Sequence, residues 1–148
     1  MGSVGSGKTT LLLGMCGEVR LTAGTGFVAG RVAYVEQNPY FLDDTLRANI
    51  LFGNNYEEEL YRRVIDACAL AEDISRWPDR DMTIISDDGG NISGGQKARV
   101  ALARAIYTKA DIYILDDPLS AVDPHIKRHL LDHVLLNTGI LGDKLRVV

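Results

Sequence analysis

Residues 2–9 read Gly-Ser-Val-Gly-Ser-Gly-Lys-Thr, and no other stretch constrains the fold as much. Glycines so closely spaced let backbone N–H groups converge on one point without Cβ clashes. The run from Lys8, KTTLLLGMCGE, reads as a helix stopped by Gly14 and Gly17, and its positive end points at the same place. The complement of such a turn is an anion. Gly, four residues, then Gly-Lys-Thr is the spacing of a loop that cradles phosphates. Lys8 offers a cation to the terminal phosphates and Thr9 a hydroxyl to Mg²⁺. A glycine-rich turn before a helix needs no ligand by itself, so the assignment requires a partner elsewhere in the chain.

The remaining elements alternate. RVAYVEQ (31–37) suits a strand buried on both faces. NPYFLDDT is a loop, and Thr45 caps a short helix through Ile50. Residues 56–72, YEEELYRRVIDACALAE, form one amphipathic helix with Leu60, Val64, Cys68 and Ala71 on a stripe, and Glu57 to Glu59 load its first turn. Residues 75–91 are mostly loop. SGGQKARVALARAIYT is a further helix, DIYILDD a second buried strand, and Asp123 and Pro124 open a helix with Ile126, Leu130 and Val134 on one face. KLRVV closes the sequence as a strand. Alternating strands and helices give an α/β fold with a mainly parallel sheet.

Composition narrows the function. The chain has 148 residues, 46% hydrophobic and 24% charged, with a net charge of -4. No basic stripe is visible, which argues against nucleic acid. No apolar run approaches the roughly 18 residues that span a bilayer. Cys16 and Cys68 lie far apart in apolar contexts and read as core residues. His125, His129 and His133 recur every four residues, a spacing able to hold a metal, but read as a solvated helix flank. Lys97, Arg99 and Arg104 read as the exposed face of their helix.

Two further motifs carry chemistry. In IYILDD, Asp116 emerges at the C-terminal end of an apolar strand, the edge where open α/β sheets bind ligands. A carboxylate there can hold Mg²⁺ beside a phosphate loop. In ISGGQ, Ser93 and two glycines open a helix, a second anion-binding geometry. One nucleotide does not need two such clamps from one domain. The second is explained by a nucleotide that another, similar domain holds.

These motifs resemble those of the nucleotide-binding domains of ATP-binding-cassette (ABC) transporters. GSVGSGKT looks like their phosphate loop (Walker A), IYILDD their magnesium strand (Walker B) and ISGGQ their signature, with Ile92 where Leu is usual. Gln37 falls at the Q-loop, and SAVD (120–123) resembles the D-loop that lies across the domain dimer. DDTLRANILFG, NISGGQKARVALARAIY and ILDDPLSAVD look like the C subfamily, the multidrug-resistance-associated proteins, and most like the first of their two nucleotide-binding domains. Glu36 and Tyr40 depart from that subfamily, where Pro and Trp are frequent.

The resemblance implies a P-loop NTPase fold of ABC ATPase type, with residues 1–40 and 110–148 as a RecA-like core and about 41–109 as a helical subdomain carrying the signature. It implies ATP and Mg²⁺ as ligands. Gly2, Ser3, Val4, Gly5, Ser6, Gly7, Lys8, Thr9 and Thr10 would bind nucleotide, and Thr9, Gln37 and Asp116 would hold the metal. Asp117 and Gln37 would be catalytic, with Asp117 a weak base because the family usually has the longer Glu there. Ser93, Gly94, Gly95 and Gln96 would serve the partner domain's site, and Ser120, Ala121 and Asp123 the D-loop. The function implied is ATP binding with weak hydrolysis, powering export across a membrane from its cytosolic face. Its partners are a second nucleotide-binding domain and the transmembrane domains of the same transporter. A regulatory ATP-binding module with little hydrolysis is the alternative. A soluble ABC ATPase fits less well, because about 85 residues between Lys8 and Ser93 leave no room for coiled coils or zinc modules. In the family a strand and an aromatic-bearing subdomain precede the phosphate loop, and a His follows the last strand. The sequence is therefore expected to be truncated at both ends, and the isolated chain to be aggregation-prone with weak ATP binding.

Overall fold

The computed structural model describes residues 5–26, 28–86 and 89–148. Helix α1 spans Lys8–Met15, strand β1 Val32–Val35, β2 Asp44–Thr45, α2 Leu46–Leu51, α3 Glu58–Ala67 and α4 Ala71–Arg76. Then come β3 (Ile84–Ile85), α5 (Gly94–Tyr107), β4 (Ile112–Leu115), α6 (Pro124–Leu130) with one π turn at Leu131–Leu135, and β5 (Leu145–Val147).

The main sheet is parallel, in the order β1-β4-β5. Val32 pairs with Ile112 and Val35 with Leu115, so the C-terminal ends of β1 and β4 finish level. All four residues of β4 are buried. Their alternation divides them between two layers: Tyr113 and Leu115 join the main core with α5, whereas Ile112 and Ile114 pack with Leu12 of α1. Leu12 is the one buried residue of α1. Under that thin cover β1 is not buried on both faces, as its apolar run suggests: Ala33 and Val35 are buried in the main core, while Val32 and Tyr34 stay half-buried on the α1 side. A second, antiparallel pair joins β2 to β3.

Local signals account for most boundaries. The Thr45 side chain accepts a hydrogen bond from the Ala48 N–H and caps α2. Gly14 lies inside α1 rather than stopping it; the helix runs to Met15 with Cys16 as its C-cap, and Gly17 follows with φ +82°. The expected single helix over 56–72 is broken in two. Ala69 adopts φ +52°, and the Leu70 N–H returns to the Ile65 carbonyl, which turns the chain so that Leu70 is fully buried. Ala71, assigned to the apolar stripe, is exposed; Val64 and Cys68 of that stripe are fully buried and Leu60 partly so. Asp123 occupies the N-cap of α6 with Pro124 as first residue, but its side chain makes no capping bond.

Asn49 is fully buried and sequence reasoning did not single it out. Its Oδ1 accepts from the Leu42 N–H, and its Nδ2 donates to the carbonyls of Leu42, Asp44 and Thr45. Arg104 donates to the Asn49 and Tyr40 carbonyls and lies over the rings of Phe41 and Phe52. Arg104 is thus no exposed-face residue, and neither is Arg99, which is buried at 8% exposure. Lys97 is half-buried.

Candidate functional site

The start of α1 is built by backbone conformation. Gly5 and Gly7 have φ +78° and +84°, and a Cβ at either would meet nothing within 4 Å. The left-handed turn, not crowding, requires glycine there. Ser6, Lys8, Thr9 and Thr10 are exposed around that turn. Gly2, Ser3 and Val4 lie outside the described residues.

Asp116 follows β4 directly. Its N–H bonds the Val35 carbonyl at 2.9 Å, which ties it to the end of β1, and its residue is only 6% exposed. The Thr9 hydroxyl donates to Asp116 Oδ2 at 2.5 Å across 107 positions of sequence. The Tyr34 hydroxyl stands 3.5 Å from the same oxygen. Burial, and then the neighbouring Asp116 carboxylate, push the Tyr34 phenol above its usual value. Tyr34 escaped sequence reasoning because it read as one more apolar strand residue; its place three positions before Gln37, on the face opposite Ala33 and Val35, was the available signal.

Thr9, Tyr34, Gln37, Asn38 and Asp116 line a cleft of about 390 Å³. A neighbouring cleft of about 460 Å³ is lined by Gln37, Asn38, Gly94, Lys97, Asp117 and Ser120. Glu36, Gln37 and Asn38 border both. No residue of 93–96 lines the first cleft and none of 5–10 lines the second. A larger groove, about 1090 Å³, flanks α1 and holds Leu11, Met15, Leu21 and Val28 but, among the described residues, no carboxylate. Size therefore does not locate the polar chemistry, which belongs to the two smaller clefts.

Asp117 is exposed, in a left-handed conformation with φ +52°. The Ser120 hydroxyl donates to its carbonyl at 3.1 Å. Ser93 caps α5: its hydroxyl accepts from the Gln96 N–H at 3.2 Å, while Gln96 Oε1 accepts from the Ser93 N–H at 2.8 Å. A Cβ on Gly95 would stand 3.0 Å from the Ala121 carbonyl oxygen, so glycine is what lets α5 lie against the 120–123 loop. Ser120, Ala121 and Asp123 are exposed there. The structure brings Thr9 and Asp116 together, with Gln37 beside them, and separately brings Gly94 and Gly95 against Ala121.

The histidines sit apart from both clefts. His129 Nε2 lies 2.9 Å from the Asp66 carbonyl, His133 Nδ1 lies 3.0 Å from the His129 carbonyl, and the two rings stack at 4.1 Å.

Residues 1–120 match the family model described as ABC transporter. The chain belongs to the ABC transporter family. It is 49% identical over 148 residues to the metal resistance protein YCF1 of Saccharomyces cerevisiae, covering all of this chain and 10% of that protein. It is 51% identical over 148 residues to ATP-binding cassette sub-family C member 4 of Homo sapiens, covering all of the chain and 11% of the relative. Against ABC transporter C family member 9 of Arabidopsis thaliana it is 51% identical over 143 residues, 97% of the chain and 9% of the relative. These relatives place it in the C subfamily, and the chain spans about a tenth of their length. ABC membership implies ATP binding and the P-loop NTPase fold, in keeping with the parallel sheet and the Lys8 turn. The hydroxyl and carboxylate oxygens of Thr9 and Asp116 are hard donors of the kind Mg²⁺ takes. Among the described residues no helix is long and apolar enough to cross a membrane.

Proposed function

We propose that this chain is the ATP-binding engine of a membrane exporter of the multidrug-resistance-associated type, acting at the cytosolic face. Residues 1–40 and 110–148 form the nucleotide core and about 41–109 the helical part. Gly2 to Thr10 hold the triphosphate; Thr9, Asp116 and Gln37 hold Mg²⁺, which when bound neutralises charge on the phosphate oxygens. Asp117 acts as a weak base on the attacking water. Ser93 to Gln96, with Ser120, Ala121 and Asp123, contribute to a nucleotide held by a second such domain, and the transmembrane domains choose the cargo. The observation that carries this reading is the 2.5 Å contact between Thr9 and Asp116, beside Gln37 and away from Ser93.

The test is Thr9→Ala in the transporter that contains this domain. ATP affinity should fall about tenfold with Mg²⁺ present, the loss of one charge-assisted contact, and change little in EDTA. An equal loss in EDTA would remove the metal assignment.

A second expectation concerns Asp117. In-line attack depends on sub-ångström placement, and Asp reaches one methylene less than Glu. Asp117→Glu should raise turnover at this site several-fold in single-turnover hydrolysis. Asp tolerates the left-handed backbone at this position better than Glu does, so the melting temperature of the variant is measured alongside. Unchanged turnover with an intact fold would assign the site to ATP binding alone.

A further inference from the structure

We propose that Asp73 is the positioning residue of the Ser93-Gly94-Gly95 turn, and that it acts through Gln96 and Arg99. This rests on the reading above, in which that turn serves a nucleotide held by a second domain. Asp73 lies in the first turn of α4, a helix of six residues with none buried. Its carboxylate is divided between two side chains one turn apart on α5: Oδ1 accepts from Gln96 Nε2 at 2.8 Å and Oδ2 from Arg99 Nη1 at 2.6 Å. The pair is largely shielded, with side-chain exposures of 18% for Asp73 and 9% for Arg99. Arg99 also donates to the Ala69 carbonyl, at the left-handed turn between α3 and α4, and to the Gly95 carbonyl within the turn it supports.

The consequence concerns which way the Gln96 amide points. A carboxylate only accepts, so Asp73 requires the NH₂ end of that amide. The oxygen end then faces Ser93, where it accepts from the backbone N–H. Reversing the amide would set oxygen against oxygen at Asp73 and NH₂ against N–H at Ser93. One carboxylate, outside the turn itself, thus enforces the cap in a single orientation. With the cap fixed, the first N–H groups of α5, which have no intrahelical acceptor, keep one direction toward an incoming phosphate.

The experiment is photoaffinity labelling with azido-ATP in the complete transporter, with proteolysis separating label at this domain's Lys8 loop from label at the partner domain's loop. For Asp73→Asn, trapping at the partner's loop should fall about tenfold, as outer-shell changes commonly do, while the Lys8 loop changes less than about twofold. Asp73→Glu, which keeps the charge, should recover most of the loss. Ser93→Ala supplies the reference. Equal losses at both loops, or no effect of Asp73→Asn where Ser93→Ala is effective, would overturn the role of Asp73 alone. If Ser93→Ala lowers label at the Lys8 loop and spares the partner's, the two-domain reading itself fails. Should Asp73→Asn not accumulate, Gln96→Glu decides: it sets a carboxylate against Asp73 and should lower label at the partner's loop alone, whereas a purely structural tie predicts equal losses at both loops.

Discussion

Lys8→Ala is expected to weaken ATP binding at this site by roughly 30- to 150-fold, about 2–3 kcal/mol for a lost hydrogen bond to a charged group. Three sources of positive potential converge at the start of α1: the backbone N–H groups of the left-handed glycine turn, the helix dipole and the Lys8 ammonium. The substitution removes only the third. Alanine is a good helix former and Lys8 is exposed, so the fold should be unchanged. Lys8→Arg keeps the charge but replaces a compact ammonium with a planar fork, and should recover part of the affinity. Titration with a fluorescent nucleotide measures all three proteins. A change in Kd below about threefold for Lys8→Ala would leave no phosphate contact for this residue.

What the sequence disclosed and what it hid follow from the range of the interactions. The caps at Thr45 and Ser93 are local, spanning three positions, and could be read from residue types alone. The buried strand β4 announced itself as an unbroken apolar run. Thr9 and Asp116 lie 107 positions apart, yet each stood out by its own neighbours, one by glycines and one by a strand ending in carboxylates. Arg99 and Arg104 stood out wrongly. Their charges suggested solvent, but their partners are Ala69, Asp73, Tyr40 and Asn49, which approach α5 only once the chain has folded. The break at Ala69 had no marker because alanine rarely takes a left-handed conformation; burial of Leu70 and the Arg99 contact hold it there. The half-exposed face of β1 depended on how much of it α1 would cover, which no property of VAYV itself determines.

The same dependence on α5 makes Leu102→Ala the substitution expected to destabilise most. α5 packs against α2, α3 and β1, and Leu102, near its middle, is fully buried. Neighbours on several elements cannot all close in on a missing side chain, so a cavity should remain and the change should cost about 3 kcal/mol. For a chain of this size that corresponds to a fall in Tm of about 6–12 °C, measurable by thermal denaturation. Leu145→Ala deletes a side chain of the same size at a position that is 60% exposed, and should shift Tm by less than about 2 °C. Below its melting transition the Leu102 variant should bind ATP through the Lys8 turn with unchanged affinity, because α1 draws its own packing from Ile112 and Ile114 on the opposite face of the sheet. Similar Tm values for the two variants would mean that α5 is not the element around which the core is organised.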